Sequence, residues 1–156
     1  MSDPQAIQDI YPESVAHCYG CGRLNEQGLH IRSYVEGDET VCHFIPQPYH
    51  TAVPNYVYGG LIASLIDCHA TGTAAAAAYA AEGRAPGTEP PIRFLTASLK
   101  VDFRRPTPLG PILELRGRAR EVRGRKVILD IELLAEGQVC ATGEVLCVIA
   151  PEGLIR

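Results

Sequence analysis

The stretch GGLIASLIDCHATGTAAAAAYAA, residues 59–81, decides how the rest of the chain must be arranged. It runs without a strong helix breaker until Gly83 and Pro86, and so reads as one long helix opening at Gly59-Gly60. Its second half, Thr73 to Tyr79, is nearly all alanine, which keeps helix propensity high and lets neighbouring backbone approach closely. The length also suits a bilayer core. Asp67 and His69 would then lie near the middle of the lipid, alanine dominates over leucine and isoleucine, and no Lys or Arg closely flanks the N-terminal end. The stretch therefore reads as the buried helix of a soluble protein, with no membrane contact expected.

Downstream the periodicity switches from helical to strict alternation. Leu95, Ala97, Leu99, Val101 and Phe103 share one parity, expected to be buried, while Thr96, Ser98, Lys100, Asp102 and Arg104 share the other. The pattern recurs at Leu113, Leu115, Gly117 and Ala119, then at Val127 to Leu133, then at Val139 to Cys147. Arg123-Gly124 and Glu136-Gly137 between these runs are too short for crossover helices, so the strands must pair antiparallel. Upstream, extended runs at Leu29–Val35 and Thr40–Ile45 flank the turn residues Glu36-Gly37-Asp38 and read as a hairpin. Residues 1–27, with Pro4, Pro12 and several glycines, read as an irregular or partly helical lead-in. The order is ββαββββ, an α+β arrangement. One long helix inserted into an antiparallel sheet is accommodated when the sheet curls and lays its apolar face over the helix, the arrangement called a hotdog.

A chain of 156 residues is expected to form a single domain, residues 1–156. Apolar residues make up 46% and charged residues 21%, the balance of an ordinary folded protein. Fourteen Lys and Arg against 18 Asp and Glu give a mildly acidic chain, which argues against a nucleic-acid partner. The opening MSDPQAIQDI has no basic region followed by an apolar run, so a cytoplasmic location with six free thiols is expected.

The segment YGGLIASLID, Tyr58 to Asp67, resembles the HGG-x6-D/E signature of the PaaI-like hotdog-fold acyl-CoA thioesterases, within the 4-hydroxybenzoyl-CoA thioesterase superfamily. TASLKVDFRRPTPLG, Thr96 to Gly110, is similar to that family's strand leading into a basic-Pro turn, and VRGRK, Val122 to Lys126, to its next hairpin. CYGCGRLNEQGL, Cys18 to Leu29, is similar to lead-ins found in a subset of the same superfamily. The resemblance implies an acyl-CoA substrate, Asp67 as the catalytic carboxylate, and a shared-site homodimer often paired further into tetramers. Thr96 matches the position where related thioesterases place a hydroxyl beside that carboxylate; equally, Thr is simply a good strand residue. No cofactor is expected.

The chemistry of the motif can be stated from its residues. Gly59-Gly60 at a helix start leaves backbone N–H groups without intrahelical partners, and the helix dipole adds positive potential. Such donors stabilise the oxyanion formed when a thioester carbonyl is attacked, and losing one typically costs ~3 kcal/mol of barrier. Gly60 is the expected oxyanion donor. Asp67 is the expected general base or nucleophile, the bland alternative being a carboxylate paired with a basic group or with His69. Seven residues at ~1.5 Å rise separate the two by ~10 Å along the axis, too far to act on one carbon. Two antiparallel helices across a two-fold axis would bring Gly60 of one copy to Asp67 of the other, making a homodimer part of the site.

Tyr58 stands where the signature usually carries His; a phenol titrating near ~10 is no base at neutral pH, so substrate positioning is its expected role. Asn55 in the same loop could supply the missing donor, and His50 is a further candidate for substrate contact or an ordinary surface histidine. Arg104 and Arg105 are candidates for the CoA phosphates, with solvated charge as the alternative. Cys18-x-x-Cys21 has zinc-like spacing with His17 and His30 nearby, but no second such pair exists, so no metal is expected. Two rival functions remain open: a hydratase or dehydratase of the same fold, disfavoured by the missing His, and a non-catalytic acyl-CoA-binding protein.

Overall fold

The structure, a computed structural model, describes residues 3–154. The alternating segments form strands β1 (Tyr34–Glu36), β2 (Glu39–Phe44), β3 (Phe94–Phe103), β4 (Leu113–Arg123), β5 (Lys126–Ala135) and β6 (Gln138–Ile149), and Gly59–Ala81 forms the helix α1. All pairings are antiparallel, in the order β1-β2-β4-β5-β6-β3. The chain direction reverses between β5 and β6 through Glu136 and Gly137, with φ of 52° and 78°, the left-handed pair that matches the twist of a tight hairpin. Gly83, at φ 67°, ends α1: its N–H and that of Arg84 turn back to the carbonyls of Ala80 and Tyr79.

The sheet's inner face supplies Leu113, Leu115, Leu129, Ile131, Leu133 and Val145, all buried against Leu61, Leu65, Ile66, Ala70 and Ala74 of α1. The helix is long and apolar enough to cross a bilayer, yet 67% of its most apolar window is buried within the protein. Burial on this scale stabilises by about 25 cal/mol per Å² of apolar surface, which explains why an Ala-rich helix is held in place.

Two expectations need correction. The run Leu29–Val35 is not a strand over most of its length, for β1 begins only at Tyr34. His30 takes a left-handed φ of 55°, and Leu29 and Ile31 donate their N–H groups to the carbonyls of Tyr19 and Gly20 in the lead-in. The lead-in itself contains two short 3₁₀ turns, Ile7–Ile10 and Glu13–Val15, and buries Ile7, Tyr11, Ala16 and Cys21.

The second correction concerns β3. A bulge between Thr96 and Ser98 leaves Ala97 unpaired, so Thr96 opposes Cys147 and Leu99 opposes Val145. Because cross-strand partners share a face, Thr96 turns inward and Leu95 outward, the reverse of the expected parity at this end. Beyond the bulge Leu99, Val101 and Phe103 lie on the inner face as expected, yet Leu99 and Phe103 are 39% and 57% exposed because β3 is the edge of the sheet.

Candidate active site

At its N-terminus α1 has no side-chain cap, Tyr58 standing in the capping position with extended backbone. The Tyr58 carbonyl accepts from the N–H groups of Leu61 and Ile62 at 3.1 and 3.3 Å. The N–H groups of Gly59 and Gly60 have no acceptor among the described residues, which leaves two donors at the positive end of a 23-residue helix. The Tyr58 ring lies over Gly60: a Cβ there would fall 2.4–2.7 Å from its ring carbons and hydroxyl. The preceding loop is tied down by backbone bonds, Tyr58 N–H to the His50 carbonyl at 2.9 Å and Val57 N–H to the Thr107 carbonyl at 2.9 Å.

Two turns along the helix, Asp67 is half-buried. Its Oδ1 accepts a hydrogen bond from the Thr96 hydroxyl at 2.5 Å. No Lys, Arg or His lies within ion-pairing distance of it among the described residues. The cationic partner that would make it a structural carboxylate is therefore missing from this set. Cys147, opposite Thr96, offers no competing nucleophile, since burial pushes its thiol up to about 12.

His69 does not pair with Asp67 but is fully buried in a separate polar network. Ser33 donates to its Nδ1 at 2.8 Å, and its Nε2–H faces the Thr40 carbonyl at 3.2 Å. The Thr40 hydroxyl donates to Thr73 at 2.6 Å, and the Thr73 hydroxyl donates to the His69 carbonyl at 2.7 Å. Every proton in this chain has an acceptor when the ring is neutral, and burial lowers the His69 pKa to about 4.

A cleft of about 640 Å³ opens beside the start of α1, lined among others by Gly59, Ile62, Phe103, Arg104, Arg105 and Thr107. Of the candidates named from the sequence, Gly59, Arg104 and Arg105 meet here, with Tyr58 and Gly60 adjoining in the chain. Asp67 and Thr96 form their own pair farther along the helix. The Arg104 guanidinium also reaches Thr142, and that of Arg105 reaches Gln138. His50 turns to its own loop, its Nδ1 accepting from the Gln47 N–H at 2.9 Å and its ring lying between Phe44 and Tyr49. Asn55 is exposed with φ 77°, a conformation Asn tolerates, and its carbonyl accepts from Leu109. Neither lines the cleft.

This frame of one helix in a curled sheet, with a Gly-Gly helix start and a carboxylate two turns on, matches known proteins. The profile of the thioesterase superfamily matches residues 54–142. The chain belongs to the thioesterase superfamily. A thioesterase-superfamily protein of Shewanella loihica is 42% identical, with a TM-score of 0.69 over 90% of this chain and 100% of that one. The acyl-coenzyme A thioesterase THEM4 of Xenopus laevis is 33% identical over 93 residues, 60% of this chain, which spans 36% of that relative's length. The PaaI protein of E. coli shares the fold at 15% identity, with a TM-score of 0.64 over 79% of this chain and 81% of its own.

In this member of the superfamily one cleft residue escaped the reading of the sequence. Thr107 is buried and its hydroxyl has no partner among the described residues, although it lines the cleft between the two arginines and the loop before Tyr58. The only hint was its position between Pro106 and Pro108, which fixes backbone but says nothing of a free hydroxyl.

Proposed function

We propose that the chain hydrolyses acyl-CoA thioesters at a site shared by two copies, in the cytoplasm. Asp67 takes a proton from water, the water oxygen attacks the thioester carbonyl, and the N–H of Gly60 from the second copy stabilises the oxyanion. The C–S bond then breaks, and CoA leaves as a thiolate that recovers a proton. The Thr96 hydroxyl holds the carboxylate that orients the water. Arg104 and Arg105 at the cleft rim meet the CoA phosphates.

The observation that carries this reading is the state of Asp67: half-buried, hydrogen-bonded by Thr96 and without a cation among the described residues. A carboxylate without a cationic partner keeps its lone pairs for a proton from water. Self-association is supported by the free edge of β3, ten residues long with Leu95, Leu99 and Phe103 exposed, since a long apolar edge strand is a template for pairing. A panel of acyl-CoAs with a thiol reagent tests the proposal. Thiol release that disappears in Asp67→Asn supports it; equal release by the variant removes Asp67 from the mechanism.

A second reading, acyl-CoA binding without turnover, is favoured by one feature, the Tyr58 ring covering Gly60. Saturable binding of acyl-CoA with no thiol release at any chain length would establish it. Water addition to an enoyl-CoA would point instead to a hydratase.

A further inference from the structure

The Cys18-x-x-Cys21 pair lacks a second such pair in the sequence, but the fold supplies a third thiol from α1. The sulfurs of Cys18, Cys21 and Cys68 all lie within 4.8 Å of one another, and those of Cys18 and Cys68 are 3.8 Å apart. We propose that these three residues bind a thiophilic d10 cation, Zn2+ or Cu+, as thiolates, fastening the N-terminal loop to the helix residue beside Asp67.

The spacing suits such an ion. Metal–sulfur bonds of ~2.3 Å in tetrahedral geometry set the sulfurs ~3.8 Å apart. The loop is built around the sulfurs. A Cβ on Gly20 would fall 2.3 Å from the Cys68 sulfur, so only glycine lets the backbone cross it. The Gly22 N–H returns to the Cys18 carbonyl at 2.7 Å, and Leu29 and Ile31 bond to the carbonyls of Tyr19 and Gly20, so the loop is held without the ion's help.

The surroundings are short of negative charge. Arg93 is only 8% exposed, yet its guanidinium bonds only to the Phe94 carbonyl and lies 4.5 Å over the Tyr11 ring, with no carboxylate partner among the described residues. A buried cation without a counter-ion is costly. Three thiolates around Zn2+ or Cu+ are net negative in either case, the sign that a buried guanidinium needs. The Tyr11 hydroxyl is likewise buried, with no partner among the described residues. A small pocket lined by Gln8, Asp9, Cys21, Arg23, His30 and Arg32 adjoins the trio at Cys21. Thiolate sulfur selects soft d10 ions over Mg2+ or Ca2+.

The test uses the full chain, purified under reductant and stripped of metal. Zinc chloride is titrated in competition with a chromophoric chelator, and Cu+ is titrated anaerobically against a copper(I) indicator, so that the two arms separate the ions. One equivalent of one ion is expected, with affinity falling about 100-fold or more in Cys18→Ser and Cys21→Ser and unchanged in Cys140→Ser. Circular dichroism of each stripped variant controls for folding. Should Cys68→Ser fail to fold, the half-buried Cys18 still carries the test, and a Co2+–thiolate charge-transfer band weakened in Cys18→Ser reports the ligand directly. Binding of neither ion overturns the proposal, as does equal binding by wild type and Cys18→Ser. A mass two hydrogens low under reductant, marking a disulfide within the trio, also overturns it.

Discussion

The hydroxyl of Thr96 donates to Oδ1 of Asp67 across 2.5 Å, joining the inner face of the edge strand β3 to the helix two turns from its start. A hydrogen bond to a charged acceptor is worth roughly 1.5–3 kcal/mol. Thr96→Val keeps the shape and removes only the donor. Turnover is expected to fall about 10- to 100-fold with KM little changed, since the bond orients the base rather than binding substrate. Thr96→Ser should recover most of the loss. Steady-state kinetics on the best acyl-CoA would decide, and a Thr96→Val enzyme as fast as wild type would leave the bond structural.

Gly60 and Tyr58 form a second coupled pair. Tyr58 is 57% exposed, so the far end of its ring can swing away when Gly60→Ala intrudes, and the helix itself tolerates alanine. The variant should therefore fold with an unchanged or slightly raised melting temperature while its KM rises. In a Tyr58→Ala background the same substitution should cost less, the difference being the coupling, about 1 kcal/mol or fivefold. Strictly additive effects across the four proteins would show that the ring does not position substrate.

The helix, the strand order along the chain and the tight turns were legible because periodicity and turn chemistry are local. That Gly60 and Asp67 stand two turns apart on one helix was legible, because spacing along a helix is a matter of arithmetic. The inward turn of Thr96 was not derivable from alternation, for it depends on a bulge at Ala97 that inserts one residue and reverses the phase. The approach of Cys68 to Cys18 was not legible, since nothing local announces that a loop 50 residues earlier closes over it. His69 read as a possible partner for Asp67; of its actual partners Thr73 stands one turn on along the same helix, while Ser33 and Thr40 come from upstream segments brought to it only by the tertiary fold.

Subunit mixing tests the shared site. Asp67→Asn and Gly60→Pro are each expected to be inactive alone. With random exchange half the dimers are mixed and each holds one intact site, so about a quarter of wild-type activity should return. Leu99→Arg, placing charge on the exposed inner face of β3, should lower both the sedimentation coefficient and the turnover. Proven exchange without recovery would put the whole site in one copy, and a Leu99→Arg enzyme that is single-copy yet active would say the same.

His69 gives the protein a pH dependence of stability whose sign follows from its burial. The folded-state pKa is lowered to about 4 from 6.5, so between these values the unfolded chain binds a proton that the native protein refuses. Stability from this source is complete above pH 6.5 and is lost as pH falls through about 4, with a slope approaching at most about 1.4 kcal/mol per unit. Protonation of Nδ1 would also strip the Ser33 hydroxyl of its acceptor. Urea-unfolding midpoints measured from pH 7.5 to 4.5 should therefore decline. In His69→Gln the protein should be less stable throughout but its dependence across this window flatter, because no ring remains to be charged. A curve for His69→Gln parallel to wild type would transfer the effect to other groups.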